Sequence, residues 1–186
     1  MSMEITFELS DSDLEYFEKV MFSAWEKTSD LDESTIIENA RKLLLEVWHS
    51  DTSDFIRERM SRLETMIGMV MDEGWGLEDD DRTRVVQALS YFSEPEDLIP
   101  DDIPGLGFLD DAIVIEMVNQ GLKHEVQAYR DFCVFRAAEA SRTGEEAQDL
   151  GRSDWLEERR KQLHSRMRRR RSRKGGSKGG SPFSLF

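Results

Sequence analysis

Apolar residues recur along this chain in steps of three and four, and the stripes they draw predict a succession of amphipathic helices. Leu14, Phe17, Met21 and Trp25 form the first stripe, opened by Ser10 or Asp11 as an N-cap and running to about Lys27. Ile36, Ile37, Ala40, Leu43, Leu44, Val47 and Trp48 form the second, opened by Asp32 or Ser34. Ile56, Met60, Leu63, Ile67 and Val70 form the third, opened by Asp51 or Ser53 and ended by Gly74 and Gly76. Asp79–Asp81 start a fourth helix carrying Val85, Ala88, Leu89 and Phe92. Ile115, Val118, Leu122, Val126, Tyr129 and Cys133 then line one long helix, from Asp110 or Asp111 to about Ser141. Residues 3–9 alternate weakly, as a short extended arm would. Each stripe is backed by an acidic face, so the expected fold is all-α, a compact helical bundle of about five helices.

The C-terminal part reads differently. Thr143–Gly151 is a polar connector, and Ser153 caps a last helix, Asp154–Arg170. Its apolar set (Trp155, Leu156, Leu163, Met167) is sparse, which predicts a helix that is exposed or ordered only against a partner. Gly175–Ser181 reads as a flexible linker in a disordered tail. The chain thus divides into an N-terminal helical part of the bundle (1–78), a helical module around a kink (79–142), and a basic helix with its tail (143–186).

Between the fourth and fifth stripes the chain reads YFSEPEDLIPDDIPGLGFLDDAIVI, from Tyr91 to Ile115. Pro95, Pro100 and Pro104 cannot lie inside a continuous helix, because each removes a donor and clashes with the preceding turn. Gly105 and Gly107 supply conformations closed to other residues. The fourth helix must therefore stop near Glu94 and the chain must reverse over 91–111. Leu98, Ile99, Ile103, Leu106, Phe108 and Leu109 are expected to pack inward and stiffen the reversal. Pro95, Asp97, Leu98, Ile99, Pro100, Asp101, Ile103, Pro104, Gly107, Leu109, Asp110 and Asp111 together resemble the signature of the bacterial YkvA-like family, DUF1232. That resemblance implies a helical fold and no established activity. Glu96 and Asp102 stand where relatives commonly carry apolar residues, as in a soluble version of a module that elsewhere neighbours membrane helices.

Charge sharpens the division. Twelve of the 25 Lys/Arg but only three of the 39 Asp/Glu lie from Arg152 onward, giving +9 there and −23 in the remainder. Such segregation points to a tail with its own partner, to a tail that folds back onto the acidic body, or to one that merely keeps the chain soluble. No stretch approaches the ~18 apolar residues of a membrane span. The N-terminal residues do not read as a secretory leader. A single cysteine, Cys133, excludes an internal disulfide and suits a reducing, cytoplasmic setting; its place on an apolar stripe predicts a buried, inert thiol.

Five aspartates crowd the reversal. Asp97, Asp101, Asp110 and Asp111 could gather oxygens around a divalent cation, whereas the same residues are also ordinary caps and turn formers. No other cofactor is implied. His49, His124 and His164 are scattered, and Glu46-Val-Trp-His49 is a lone Glu-x-x-His. No phosphate loop, nucleophile elbow or Cys-x-x-Cys occurs, so the sequence supports no enzyme and assigns no catalytic residue.

Binding is the remaining class. Arg166, Arg168, Arg169, Arg170, Arg171, Arg173 and Lys174 form a dense cationic run suited to nucleic-acid phosphates or anionic lipid. The terminal Pro182-Phe183-Ser184-Leu185-Phe186 leaves Phe183, Leu185 and Phe186 as apolar candidates for a protein partner. Ser184, Leu185 and Phe186 resemble the bacterial sliding-clamp-binding peptide, with Pro182 in place of its glutamine.

Overall fold

The structure, a computed structural model, describes Thr6 and residues 8–94, 98–103, 106–144 and 154–175, with side chains in the last stretch for 157–173. Seven α-helices and one 3-10 turn account for most of these residues: α1 (Asp11–Lys27), α2 (Glu33–His49), α3 (Asp54–Met71), α4 (Asp79–Leu89), the 3-10 turn Ser90–Ser93, α5 (Leu109–Gly121), α6 (Lys123–Thr143) and α7 (Asp154–Gly175). The described residues contain no strand, and the fold is all-α. Most of the 3–9 segment lies outside the described residues.

The first three helices start where capping chemistry places them. Ser10 and Asp13 form a reciprocal capping box, with Ser10 N–H donating to Asp13 Oδ2 at 2.8 Å. Asp32 accepts from Thr35 N–H at 2.8 Å, and Ser53 accepts from Ile56 N–H. The fourth helix has no side-chain cap, but Asp79, Asp80 and Asp81 crowd its first turn, where negative charge meets the helix dipole.

One contiguous core runs from Met21 to Met167 and draws on every helix. The helix α5 is its centre: Ala112 to Ile115, Met117 and Val118 are all buried, so the helix is apolar on nearly every side. The single long helix expected from Asp110 to Ser141 is two helices, divided at Leu122. Gly121 weakens the helix there, and Leu122 leaves helical geometry at φ −95°, ψ 17°. Leu122 N–H still bonds Val118 O, and Val126 N–H bonds Leu122 O, so the chain bends without losing its backbone pairs. The bend lets α5 pack on α3 while α6 turns to meet α7.

The main surprise is Trp75, which lies between Gly74 and Gly76 in the turn after α3 and is 0% exposed. Asp72 builds that turn. It accepts from Trp75 N–H, takes a forked pair from Arg136 at 2.9 and 2.6 Å, and accepts from Tyr129 O–H at 3.1 Å. Burial alone would raise the Asp72 carboxyl, but the Arg136 fork and these other donors outweigh it and hold it below its ordinary value. Burial, with Cys133 and Asp72 beside it, raises the Tyr129 hydroxyl above its ordinary value. The Cys133 thiol itself is half-buried at the edge of the core. Gly76 takes φ +55°, a conformation side chains rarely adopt.

The helix α7 closes over this tryptophan. His164 stacks on the indole, with centroids 4.2 Å apart and planes 19° apart, and its Nε2 lies 3.3 Å from Trp75 O. Leu163 and Met167 are buried beside it, and the Phe132 ring meets the indole with centroids 5.1 Å apart. The last helix is therefore docked against α6 by its own chain rather than left exposed or awaiting a partner, and it extends to Gly175. Two buried apolar side chains at about 1.5–3 kcal/mol each suffice to seat a helix whose apolar set looks sparse.

Burial lowers the His164 imidazole below the ordinary histidine value, against the upward pull of the Trp75 carbonyl; Arg168 lowers it further while Glu78 and Asp81 oppose. The unfolded chain therefore takes up more protons than the folded one below the unfolded value of about 6.5. The stabilisation is complete above that pH and is lost as pH falls toward the folded value. Thermal melts of the wild type should weaken between neutral and mildly acidic pH, and His164→Gln should flatten that dependence. An unchanged slope in the variant would show that His164 is not the titrating group.

Candidate functional site: the reversal, the cleft and the arginine helix

The reversal between the 3-10 turn and α5 is organised by one carboxylate. Asp110 is 2% exposed, and its Oδ2 accepts from Leu98 N–H at 2.9 Å and Ile99 N–H at 3.1 Å. It was expected to cap α5, yet Phe108 is the N-cap residue and Asp110 sits in the first turn, turned back onto the chain entering the reversal. Phe108 adopts φ +64°, which costs a side-chain-bearing residue on the order of 1 kcal/mol; burial of its ring offsets that strain. Gly107 is equally constrained, since a Cβ there would lie 2.2 Å from Asp101 O.

The apolar side chains of this turn do not all pack inward. Phe108 is buried and Ile99 and Leu109 are half-buried, but Leu98, Ile103 and Leu106 are exposed. The amides of 98 and 99 face the Asp110 carboxylate, so the entry to the turn is held to α5 through its backbone rather than by packing of its side chains. Pro100 supplies its carbonyl to Ile103 N–H at 3.1 Å. Pro95, Asp97, Pro104 and Gly105 lie outside the described residues.

A cleft of about 390 Å³ opens between α2, the 3-10 turn and the start of α5, lined by Asn39, Lys42, Glu46, Tyr91, Glu94, Asp101 and Asp111 among others. Two of the four candidate cation ligands, Asp101 and Asp111, thus share one cleft, whereas Asp110 is committed to the Leu98 and Ile99 amides. Glu94 pairs with Lys27 at 3.1 Å. Among the described residues no three His, Cys, Asp or Glu side chains come together as a set able to hold a metal ion.

The arginine run lies on α7, and the docking of that helix sorts it by side. Arg166 pairs with Asp131, Arg168 with Glu78, and Arg171 with both Asp81 and Glu125, the latter at 2.9 Å. Asp81 and Glu125 are 2% and 1% exposed, and Arg84 also reaches Glu125 at 3.2 Å. Arg169, Arg170 and Arg173 are exposed. Arg169 donates to Ser165 O, and none of the three pairs with a carboxylate among the described residues. The Lys174 side chain and Phe183, Leu185 and Phe186 lie outside the description. Sequence periodicity alone missed Trp75 and His164; the only local signal was a tryptophan placed between two glycines.

With this geometry in view, residues 82–117 match the family model described as a protein of unknown function, DUF1232. The match spans most of α4, the 3-10 turn, the reversal and the first two-thirds of α5, so the chain carries a DUF1232 segment at its centre. No curated protein and no solved structure matches the chain. None of its described helices is long and apolar enough to cross a membrane.

Asp110→Ala should destabilise the fold by about 3 kcal/mol, because two amides lose a charged acceptor. Asp110→Asn, which keeps one acceptor oxygen, should cost less. Urea denaturation measures both, and a neutral Asp110→Ala would show that the reversal does not depend on this carboxylate.

Proposed function

We propose that this protein is a non-enzymatic binding module, in which the acidic bundle holds α7 so that its outer arginines meet an anionic polymer, nucleic acid first. The observation that carries this reading is the sorting of α7: Arg166, Arg168 and Arg171 face the body, while Arg169, Arg170 and Arg173 stand in solvent. A helix that served only to neutralise the body would need no second row. Arginine binds phosphate oxygens in a planar fork, and each contact releases a counterion. Sequence preference is not expected, since no exposed aromatic side chain interrupts the described row. A partner taken through Phe183, Leu185 and Phe186, such as a replication or translation assembly or the sliding clamp, would bring a second contact along the same tail. A cytoplasmic location fits this reading.

Fluorescence anisotropy with a labelled DNA duplex tests it. Replacing Arg169, Arg170 and Arg173 together with alanine should weaken binding at every sequence and reduce the slope of log affinity against log salt by about two to three. Binding with an undiminished salt slope would overturn the outer row as the contact.

The exposure of Leu98, Ile103 and Leu106 on a rigid turn favours a second reading, a membrane-peripheral scaffold at an anionic bilayer. Flotation with phosphatidylserine-containing vesicles at moderate salt should then recover the protein, and Leu106→Ser should reduce that recovery. Wild type that stays at the bottom of the gradient would remove this alternative.

A further inference from the structure

We infer that α7 is a releasable latch: a polyanion that engages its outer arginines competes for Arg166, Arg168 and Arg171 as well, and lifts the helix from the groove floored by Trp75 and Phe132. The inference rests on the reading of α7 as the polyanion-binding element and adds how that element is regulated.

The interface under α7 is incompletely satisfied. Trp75 Nε1, Arg84 Nε, Glu125 Oε2, Arg159 Nε and His164 Nδ1 are buried there with no hydrogen-bond partner among the described residues. Buried polar networks left half-paired are stabilised less than their ion pairs suggest. Arg171 serves both buried carboxylates, Asp81 and Glu125; Glu125 keeps Arg84 as a second partner, whereas Asp81 forms no other ion pair among the described residues. Arg166–Asp131 and Arg168–Glu78 involve side chains that are a third or more exposed on at least one partner, where pairing is worth little and salt screens it. Among the described side chains, apolar anchorage comes from Leu163, Met167 and the His164–Trp75 stack. The polar share of the hold on α7 is therefore weak, and local opening draws on elements held in this way.

The competition follows from where the charges point. Docked, the run 166–173 offers a polymer three arginines; released, it offers six along the same few turns, and the acidic groove left behind repels the polymer. The acidic body thereby acts as an internal competitor for the helix. Apparent affinity is the intrinsic affinity scaled by the fraction of chains with α7 free, so loosening the latch must raise it.

Hydrogen exchange on the full-length chain, with and without a saturating short DNA duplex, reads the release directly. Amide protection across α7 should fall on binding, while α3 and α5 stay protected and report an intact core. If DNA binds and α7 protection holds or rises, the latch is overturned and the outer-row reading stands. If DNA does not bind, that reading falls and the latch with it. Asp81→Asn with Glu125→Gln should lower α7 protection without DNA and raise affinity by about tenfold. Glu15→Gln with Glu38→Gln removes equal charge from exposed positions on other helices, and should leave α7 protection unchanged and affinity nearly so. An equal rise in the control would assign the gain to net charge and overturn the latch.

Discussion

Much of the molecule hangs on the burial of one indole. Trp75 lies in a turn, the kind of segment that ordinarily sits at the surface, yet it is fully buried. Its ring meets Tyr129 and Phe132 from α6 and His164 from α7. The turn can enter the core because Asp72 satisfies the Trp75 amide and ties the segment to Arg136 and Tyr129. That single arrangement fixes the end of α3 against α6 and gives α7 a floor.

The DUF1232 segment solves a different problem, the reversal of direction between two helices within a few residues. Asp110 gathers two backbone amides across the turn, Gly107 allows the chain to touch itself at Asp101, and Phe108 accepts a left-handed backbone in exchange for a buried ring. Each device serves rigidity. The consequence is an apolar, proline-bounded turn whose side chains are partly displayed, and a neighbouring cleft that collects Asp101 and Asp111 by geometry rather than by their spacing in sequence.

Charge is organised on two levels. Local carboxylates cap helices and load their first turns, a pattern complete within each segment. The larger separation of acidic body and basic helix is resolved across the fold, where α7 lays Arg166, Arg168 and Arg171 onto Asp131, Glu78, Asp81 and Glu125. Two of the readings of the charge map, a tail with its own partner and one folded back, are compatible, because a helix has two sides.

The sequence by itself determined the helices of the bundle, their caps, the reversal at 91–111 and the family segment, because periodicity, capping and proline geometry are local and act within a few residues. It could not place Gly121–Leu122 as a bend, since one unbroken stripe of apolar residues crosses it; the bend exists because α5 and α6 have different partners. Nor could it find Trp75 or His164, which lie 89 positions apart and acquire meaning only by stacking. The same holds for α7. Its sparse apolar set looked insufficient in isolation, and only the tertiary structure brought the buried tryptophan and the carboxylates of α4 and α6 together to receive it.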